Sequence, residues 1–301
     1  MTKNKNHKAF SLIEISMVIL VIGILIAGIS QGIDLYDDYR LASARNLTKN
    51  SLVNRIPDLE MWLETTSENS LATGTTSFTD KPNPIDQDSI GRWNNINPNI
   101  LPTARNHATQ ATSTNNQPKY IRKGMNGLPS LLFDGTNDFF SYNGNFLVGS
   151  DYTIFVVEAR SSNKIMNLFL AGSSNLQNSN LHLGYRTDIL ITQAHYSNDI
   201  DKNVSNFTST VIRMHSFVFS KISGKAIYTN GGTGSFDGGN SNKLPLTSYQ
   251  GSMIGNFLWN SGSYYYQGSI AEIIFYTRAL TDKERQGVEA YLSKKWGIKL
   301  G

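Results

Sequence analysis

The sequence of 301 residues contains no cysteine. No disulfide can staple it, no thiolate can join a metal site, and any folded domain must hold by core packing alone. Nor are basic residues gathered into a stripe. The 27 lysines and arginines are scattered and the net charge is only +4, so the chain lacks the footprint of a nucleic-acid binder. The five histidines, His7, His107, His182, His195 and His215, show no His-Glu-x-x-His or similar metal-ligand spacing. No glycine-rich loop follows a strand and opens a helix, which excludes a phosphate cradle of that kind. Hydrophobic content is slightly low at 39%. With many Asn, Ser, Thr and Gly, it points to a β-rich extracytoplasmic domain with long polar loops.

What is present starts at the amino terminus. Lys8-Ala9-Phe10-Ser11-Leu12-Ile13-Glu14-Ile15 leads into an apolar run from Ser16 to Ser30, and between Ala9 and Ile33 the only charged side chain is Glu14. About twenty residues of helix at ~1.5 Å rise span a ~30 Å hydrocarbon core, so this is a membrane-spanning helix by length and composition. Secretory signals place a small-residue cleavage site after the apolar core. Here the basic residues Lys3, Lys5 and Lys8 and the small Ala9 precede it, so a cut at Ala9 leaves the apolar helix on the mature chain. Lysines before the span place the amino terminus in the cytoplasm and everything after Ser30 outside. A carboxylate such as Glu14 inside a membrane helix costs roughly 2.5–3.5 kcal/mol on insertion scales and usually marks function. A plainer reading is that Glu14 reaches the cytoplasmic interface and the positive end of the helix without a partner.

The segment Ala9-Phe10-Ser11-Leu12-Ile13-Glu14 resembles the amino terminus of type IV prepilins. The resemblance implies that a prepilin peptidase cuts between Ala9 and Phe10 and methylates the new amine of Phe10. It further implies that Glu14 neutralises the terminal amine of a neighbouring subunit during assembly, two charges that become tolerable where they meet in a low-dielectric bundle. Ala9 stands where the family usually has glycine, and the cysteine-bounded carboxyl-terminal loop of many pilins is absent. The implied partners are prepilin peptidase, other pilin subunits and the inner membrane. The implied location is the bacterial inner membrane before assembly, with the head periplasmic, and a cell-surface pilus afterwards.

Residues 1–9 then read as a basic leader, 10–56 as a membrane and periplasmic helix, and 57–301 as a head. Ile33, Tyr36, Leu41, Ala44, Leu47 and Leu52 recur at helical spacing, and Pro57 closes the helix. Beyond Asp58 the pattern turns to period two, predicting strands over 59–64, 130–133, 139–142, 153–159, 167–171, 181–185, 189–193, 211–220, 225–229, 252–256 and 268–276. Many short strands separated by polar turns argue for a β-sandwich. Thr281-Asp282-Lys283-Glu284 is a capping box opening a short helix whose apolar face is Val288, Tyr291, Leu292 and Trp296, with Lys294 and Lys295 before Gly297. The segments 57–64, 106–110, 126–138 and 268–276, with this closing helix, resemble the concanavalin A-like jelly roll of laminin-G type. That fold hosts lectins, glycan hydrolases and plain adhesive modules.

Polysaccharide-cutting enzymes on that fold carry a Glu-x-Asp-x-x-Glu strand motif, which is missing here, and the nearest carboxylates, Asp58, Glu60 and Glu64, have the wrong spacing. Asp134-Gly135-Thr136-Asn137-Asp138 offers oxygens to calcium or, on the simpler reading, forms a turn. Trp259-Asn260-Ser261-Gly262-Ser263-Tyr264-Tyr265-Tyr266 has the materials of a sugar platform, rings to stack and amides and hydroxyls to hydrogen-bond, although alternate tyrosines in a strand also divide between core and surface. The expectation is a non-catalytic pilin-like subunit with no cofactor or metal. It assembles through Ala9, Phe10 and Glu14, and its adhesive head contacts surface glycans through Trp259, Tyr264, Tyr265 and Tyr266. The alternatives are a low-copy pseudopilin of a secretion or DNA-uptake system, and a membrane-tethered periplasmic lectin or glycan-processing enzyme.

Overall fold

A computed structural model describes residues 11–74, 84–173, 176–205, 208–209, 211–259 and 262–301. Two compact units divide it, Met1–Ser43 and Ala44–Gly301. Helix α1 (Leu12–Lys49) supplies the described part of the first unit and contributes its last turn and a half to the second. From Leu12 to Ile33 its large apolar side chains are exposed all round the helix. A helix apolar on every face is made for lipid or for the centre of a bundle, and this one is long and apolar enough to cross a membrane.

The α-helix ends at Lys49, short of the expected Ile56. The Asn50 side chain folds back to donate to the Asn46 carbonyl at 3.0 Å, and after Leu52 a single 3-10 turn (Val53–Arg55) follows. Val53 and Ile56 are buried in the head, and Tyr276 donates its hydroxyl to the Val53 carbonyl at 2.8 Å. Burial of those two side chains favours a tight turn over the continued helix that the periodicity predicted.

The second unit is a jelly-roll sandwich of antiparallel sheets with a helix laid on one outer face. The first sheet runs Ser235–Asp237, Gly224–Thr229, Arg213–Ser220, Tyr152–Arg160, Gln267–Tyr276, Leu128–Asp134, Lys119–Met125. The second runs Asp199–Asn203, Leu190–Ala194, His182–Tyr185, Asn167–Ala171, Met253–Ile254, Phe140–Ser141, Ala108–Thr109, Ile90–Trp93, Leu71–Thr73. A separate hairpin joins Asn256–Trp259 to Gly262–Tyr265.

Period-two alternation explains the layers. Along Tyr152–Arg160, Ile154 and Val156 point into the core between the sheets with Phe133, Phe217, Ile273 and Phe275. Phe155, Val157 and Ala159 point the other way, onto helix α2 (Asp282–Trp296). All nine residues of that strand are buried, which is why it reads as a nearly unbroken apolar run. Helix α2 has the expected ends. Thr281 and Glu284 form the reciprocal capping box, and Gly297 takes φ 68°, the left-handed cap that favours glycine.

Gln267–Tyr276 changes partners midway along one edge. Gln267 to Ile270 pair with Leu128–Asp134, and beyond that the same edge pairs with Leu59–Glu64. The register against Tyr152–Arg160 shifts between Ile270 and Glu272. This bulge at Ala271 reverses the phase of the strand, so Ile270 and Ile273 both face the inter-sheet core while Glu272 is turned toward α2.

Candidate functional site

At the amino-terminal end, Ala9 and Phe10 lie outside the described residues. The first described hydrogen bonds pair Ser11 with Glu14. The Ser11 amide donates to Glu14 Oε2 at 2.8 Å, and the Glu14 amide donates to Ser11 Oγ at 3.2 Å. This is a capping box, satisfying two of the amides that a helix start leaves without carbonyls. The Ser-x-x-Glu spacing of Ser11 and Glu14 carries that signal in the sequence, beside the stronger signal of the apolar run. Glu14 remains exposed, so its carboxylate has a local partner and an open flank at once.

The aromatic run builds the separate hairpin. Phe257 and Tyr264 face each other across it with ring centroids 5.8 Å apart and planes 31° from parallel. Ser263, Tyr264 and Tyr265 form one wall of a groove of about 610 Å³ whose other wall is Gly135, Thr136, Lys164 and Ile165. Lys164 Nζ donates to the Gly135 carbonyl at 3.0 Å and fixes the far rim. Both tyrosines are half-buried, and Ile165 is exposed beside them. The backbone of Trp259 belongs to the hairpin, but its side chain, like Asn260 and Ser261, lies outside the description. Tyr266 departs from the expectation. The alternation of the strand turns it inward, fully buried, with its hydroxyl donating to Glu158 Oε2 at 2.8 Å.

The Asp134 loop, which carries Gly135 and Thr136 of that far wall, uses its oxygens internally. Asp134 Oδ1 accepts from the amides of Thr136 and Asn137 at 2.7 and 3.1 Å, and Asp138 Oδ2 accepts from the Asp134 amide at 2.9 Å. Gly135 has φ 76°, and a Cβ there would stand 2.7 Å from the Gln267 side chain. These contacts are those of a tight turn. Burial pushes the Asp138 carboxyl up to about 6.

Among the described residues, ionisable clusters are sealed inside the head, and two bear on the expected carboxylates and tyrosines. Between the sheets, Glu158 accepts from Tyr185 at 2.8 Å and from Tyr266, and lies 3.2 Å from His215 Nε2. All four side chains are fully buried, and burial holds the His215 imidazole below its ordinary range. On the helix side, Lys295 Nζ lies 2.8 Å from Glu64 and 2.9 Å from Glu272, and also donates to Thr48 Oγ1 on α1 at 2.9 Å. Trp62 and Trp296 each donate an indole N–H to Glu272 at 2.8 Å. The three carboxylates singled out by sequence are therefore dispersed. Asp58 is at the surface, 3.6 Å from Arg278, Glu60 is only partly buried, and Glu64 belongs to the Lys295 cluster.

No protein-family model matches the chain, and no curated protein matches it. Solved structures do match. A Trypanosoma rangeli sialidase in complex with a difluorinated nononic acid aligns with a TM-score of 0.52 at 13% identity, over 79% of this chain and 33% of that one. Another structure of Trypanosoma rangeli sialidase gives a TM-score of 0.51 at 13% identity, again over 79% and 33%. Domain 4 of an extracellular arabinanase from Geobacillus stearothermophilus, in complex with arabinotriose, aligns at 0.49 and 15% identity over 69% of this chain and 99% of that one. The chain spans about a third of the length of the sialidase chains it resembles. At such identity the likeness establishes a jelly-roll sandwich, reached here independently from the strand order.

Proposed function

We propose that this chain is a pilin-like subunit that polymerises through α1 and displays a non-catalytic, glycan-contacting head of concanavalin A-like architecture. The observation that carries the proposal is α1 itself. From Leu12 to Ile33 its large apolar side chains are exposed on every face, and Glu14 at the entry is the one charged residue of that span. A helix of that kind is stable in lipid and, once withdrawn from it, needs the apolar faces of neighbouring copies. The lysines and small residue ahead of Phe10 fit cleavage by a prepilin peptidase. The exposure of Glu14 supports its pairing with a neighbour's terminal amine.

For the head, the groove walled by Tyr264 and Tyr265 supports sugar contact, since half-buried rings present flat apolar faces beside Thr136 and Lys164. The sialidase neighbour was solved with a sugar-acid ligand, and only about a third of that chain corresponds to this one. A binding role is favoured over hydrolysis because the Glu158 carboxylate and its tyrosine and histidine partners are shut inside the sandwich.

The test is the exact mass of the amino-terminal peptide, taken in parallel from sheared surface material and from the cell envelope. A peptide beginning at methylated Phe10 and abundant in the sheared fraction supports the filament subunit. The same peptide confined to the envelope favours the low-copy pseudopilin. An uncut chain retaining Lys8-Ala9 refutes the proposal in favour of a membrane-tethered module, a reading supported by the capping box that already satisfies Glu14 within one subunit.

A further inference from the structure

Beyond the apolar span, α1 becomes two-sided. Leu35, Tyr36 and Tyr39 are 73%, 59% and 70% exposed. At ~100° per residue these three share one face of the helix, and Asp34, Asp37 and Asp38 share the opposite one. Arg40 stands at the edge of the aromatic face, its guanidinium over the Tyr36 ring at 5.7 Å from the centroid. This part of the helix is therefore apolar and cationic on one side and acidic on the other.

Its height along the helix identifies what covers the aromatic face. The uncharged stretch from Ile15 to Ile33 is ~28 Å long at ~1.5 Å per residue, close to the ~30 Å of bilayer hydrocarbon. With Ile15 at the inner boundary, where the Glu14 carboxylate reaches water, Leu35 reaches the outer boundary, and Tyr36 and Tyr39 stand ~1.5 and ~6 Å beyond it. The headgroup layer is ~5–7 Å deep, so both phenol rings fall inside it. Tyrosine is enriched at that level because its ring is apolar and its hydroxyl wet. The lipid-facing surface of the span thus continues without a break into this face.

Charge complementarity gives the direction of tilt. Lipid phosphates attract the Arg40 guanidinium and repel the three aspartates, so the helix is favoured when it leans toward its aromatic side. A tilt of ~20° is usual for a membrane helix, and across a helix ~10 Å wide it sets one face below the other by ~3–4 Å. We infer that Leu35, Tyr36, Tyr39 and Arg40 form a lipid-headgroup contact that fixes both the depth of α1 in the membrane and the side to which it tilts. The aromatic face lies toward the lipid and the aspartates toward water. The inference rests on the reading of α1 as a membrane span and adds a rotation to it, so that every copy in the membrane presents the same flank to its neighbours.

The chain has no cysteine, so single introduced cysteines carry nitroxide labels without background. Ile24→Cys, Asp34→Cys and Leu35→Cys, each in the full chain in vesicles of phosphatidylethanolamine and phosphatidylglycerol, report depth through relaxation by oxygen and by a water-soluble nickel chelate. On a helix with no preferred tilt, position 34 lies ~1.5 Å deeper than position 35. The lean reverses that order. The Leu35→Cys label should lie ~2 Å deeper than the Asp34→Cys label, the ~3–4 Å of the lean less the axial step, and Tyr36→Ser with Tyr39→Ser should restore the axial order. A Leu35→Cys label no deeper than the Asp34→Cys label, or an order unaltered by the double serine variant, would overturn the inference. So would a Leu35→Cys label shielded from both reagents, which marks contact with a second copy. The Ile24→Cys label keeps the two readings apart. At bilayer-centre depth it upholds the span, and the order at 34 and 35 then decides the tilt alone; open to the nickel chelate, it removes the span and this inference with it.

Discussion

Replacing Lys295 with methionine probes the most charged part of the core. The ammonium group is fully buried and lies within 2.9 Å of two buried carboxylates, which also accept hydrogen bonds from Trp62, Trp296, Tyr291, Thr66 and Ser67. Methionine fills a similar volume but leaves Glu64 and Glu272 without their cation. Removing one partner of a buried ionic group costs about 3–5 kcal/mol. For a domain of this size that lowers the melting temperature by ~6–20 °C, at ~2–4 °C per kcal/mol.

The sign of the pH dependence is equally specific. Burial raises the Glu64 carboxyl, but Lys295 and the donors of Ser67 and Thr66 outweigh it and hold it below the ordinary 4.5. The stability it contributes is present above 4.5 and is lost as the pH falls through its depressed value. For Lys295, burial lowers and the two carboxylates raise, the latter prevailing over the ordinary 10.5. That contribution is present below 10.5 and is lost as the pH rises through the elevated value. The wild-type protein should therefore show a stability plateau between these limits. In Lys295→Met only burial and the hydrogen-bond donors act on Glu64. Its pKa rises, protonation relieves the variant, and the gap from wild type narrows as the pH falls from 7 toward 4.5. Thermal melts of the full chain in detergent, followed by near-ultraviolet circular dichroism across that range, read both effects. A gap smaller than ~1 kcal/mol, or one that stays constant with pH, would refute the reasoning.

Three further outcomes are expected. Glu14→Ala removes the capping box and the proposed partner for a neighbour's amine, so sheared filament yield should collapse while the melting curve of the head stays unchanged. Unchanged filament yield would count against the assembly role. Tyr264→Ala with Tyr265→Ala should abolish retention on glycan-coated surfaces while the melting curve of the head stays unchanged. Asp138→Asn replaces a carboxyl raised to about 6 by burial, so it should stabilise the head at pH 7–8 and lose that advantage progressively as the pH falls from 6 to the ordinary 3.8, measured by the shift in melting temperature.

Elements with strong local patterning were legible in the sequence. Tyr152–Arg160 and Gln267–Tyr276 announce themselves by β-branched and aromatic density, and α2 by its capping box and its glycine stop. Strands made by their neighbours were not. Asp199–Asn203 contains two aspartates, a lysine and an asparagine, yet it pairs along its whole length with Leu190–Ala194. Ala108–Thr109 is two residues long. Their conformation comes from an existing ladder rather than from propensity. The same holds for the sites. Lys295 and Glu64 are 231 residues apart in the chain, and no local spacing announces their contact. In the run 259–266 alternation predicts a division of the tyrosines between core and surface, and Tyr266 is the one turned into the core.

The pairing of Leu59–Glu64 with Gln267–Tyr276 has a consequence for how the protein is made. Apart from one bridge between Leu63 and Asn95, the first strand of the head finds its ladder partner among the described residues, and Glu64 its cation, far along the chain. Until residues beyond Lys295 have emerged from ribosome or export pore, that strand has an open edge and Glu64 an unmatched charge beside the end of α1. Closing the seam therefore waits on residues more than two hundred positions further along the chain. A polypeptide lacking residues 267–296 would leave both that strand edge and the Glu64 charge unmatched.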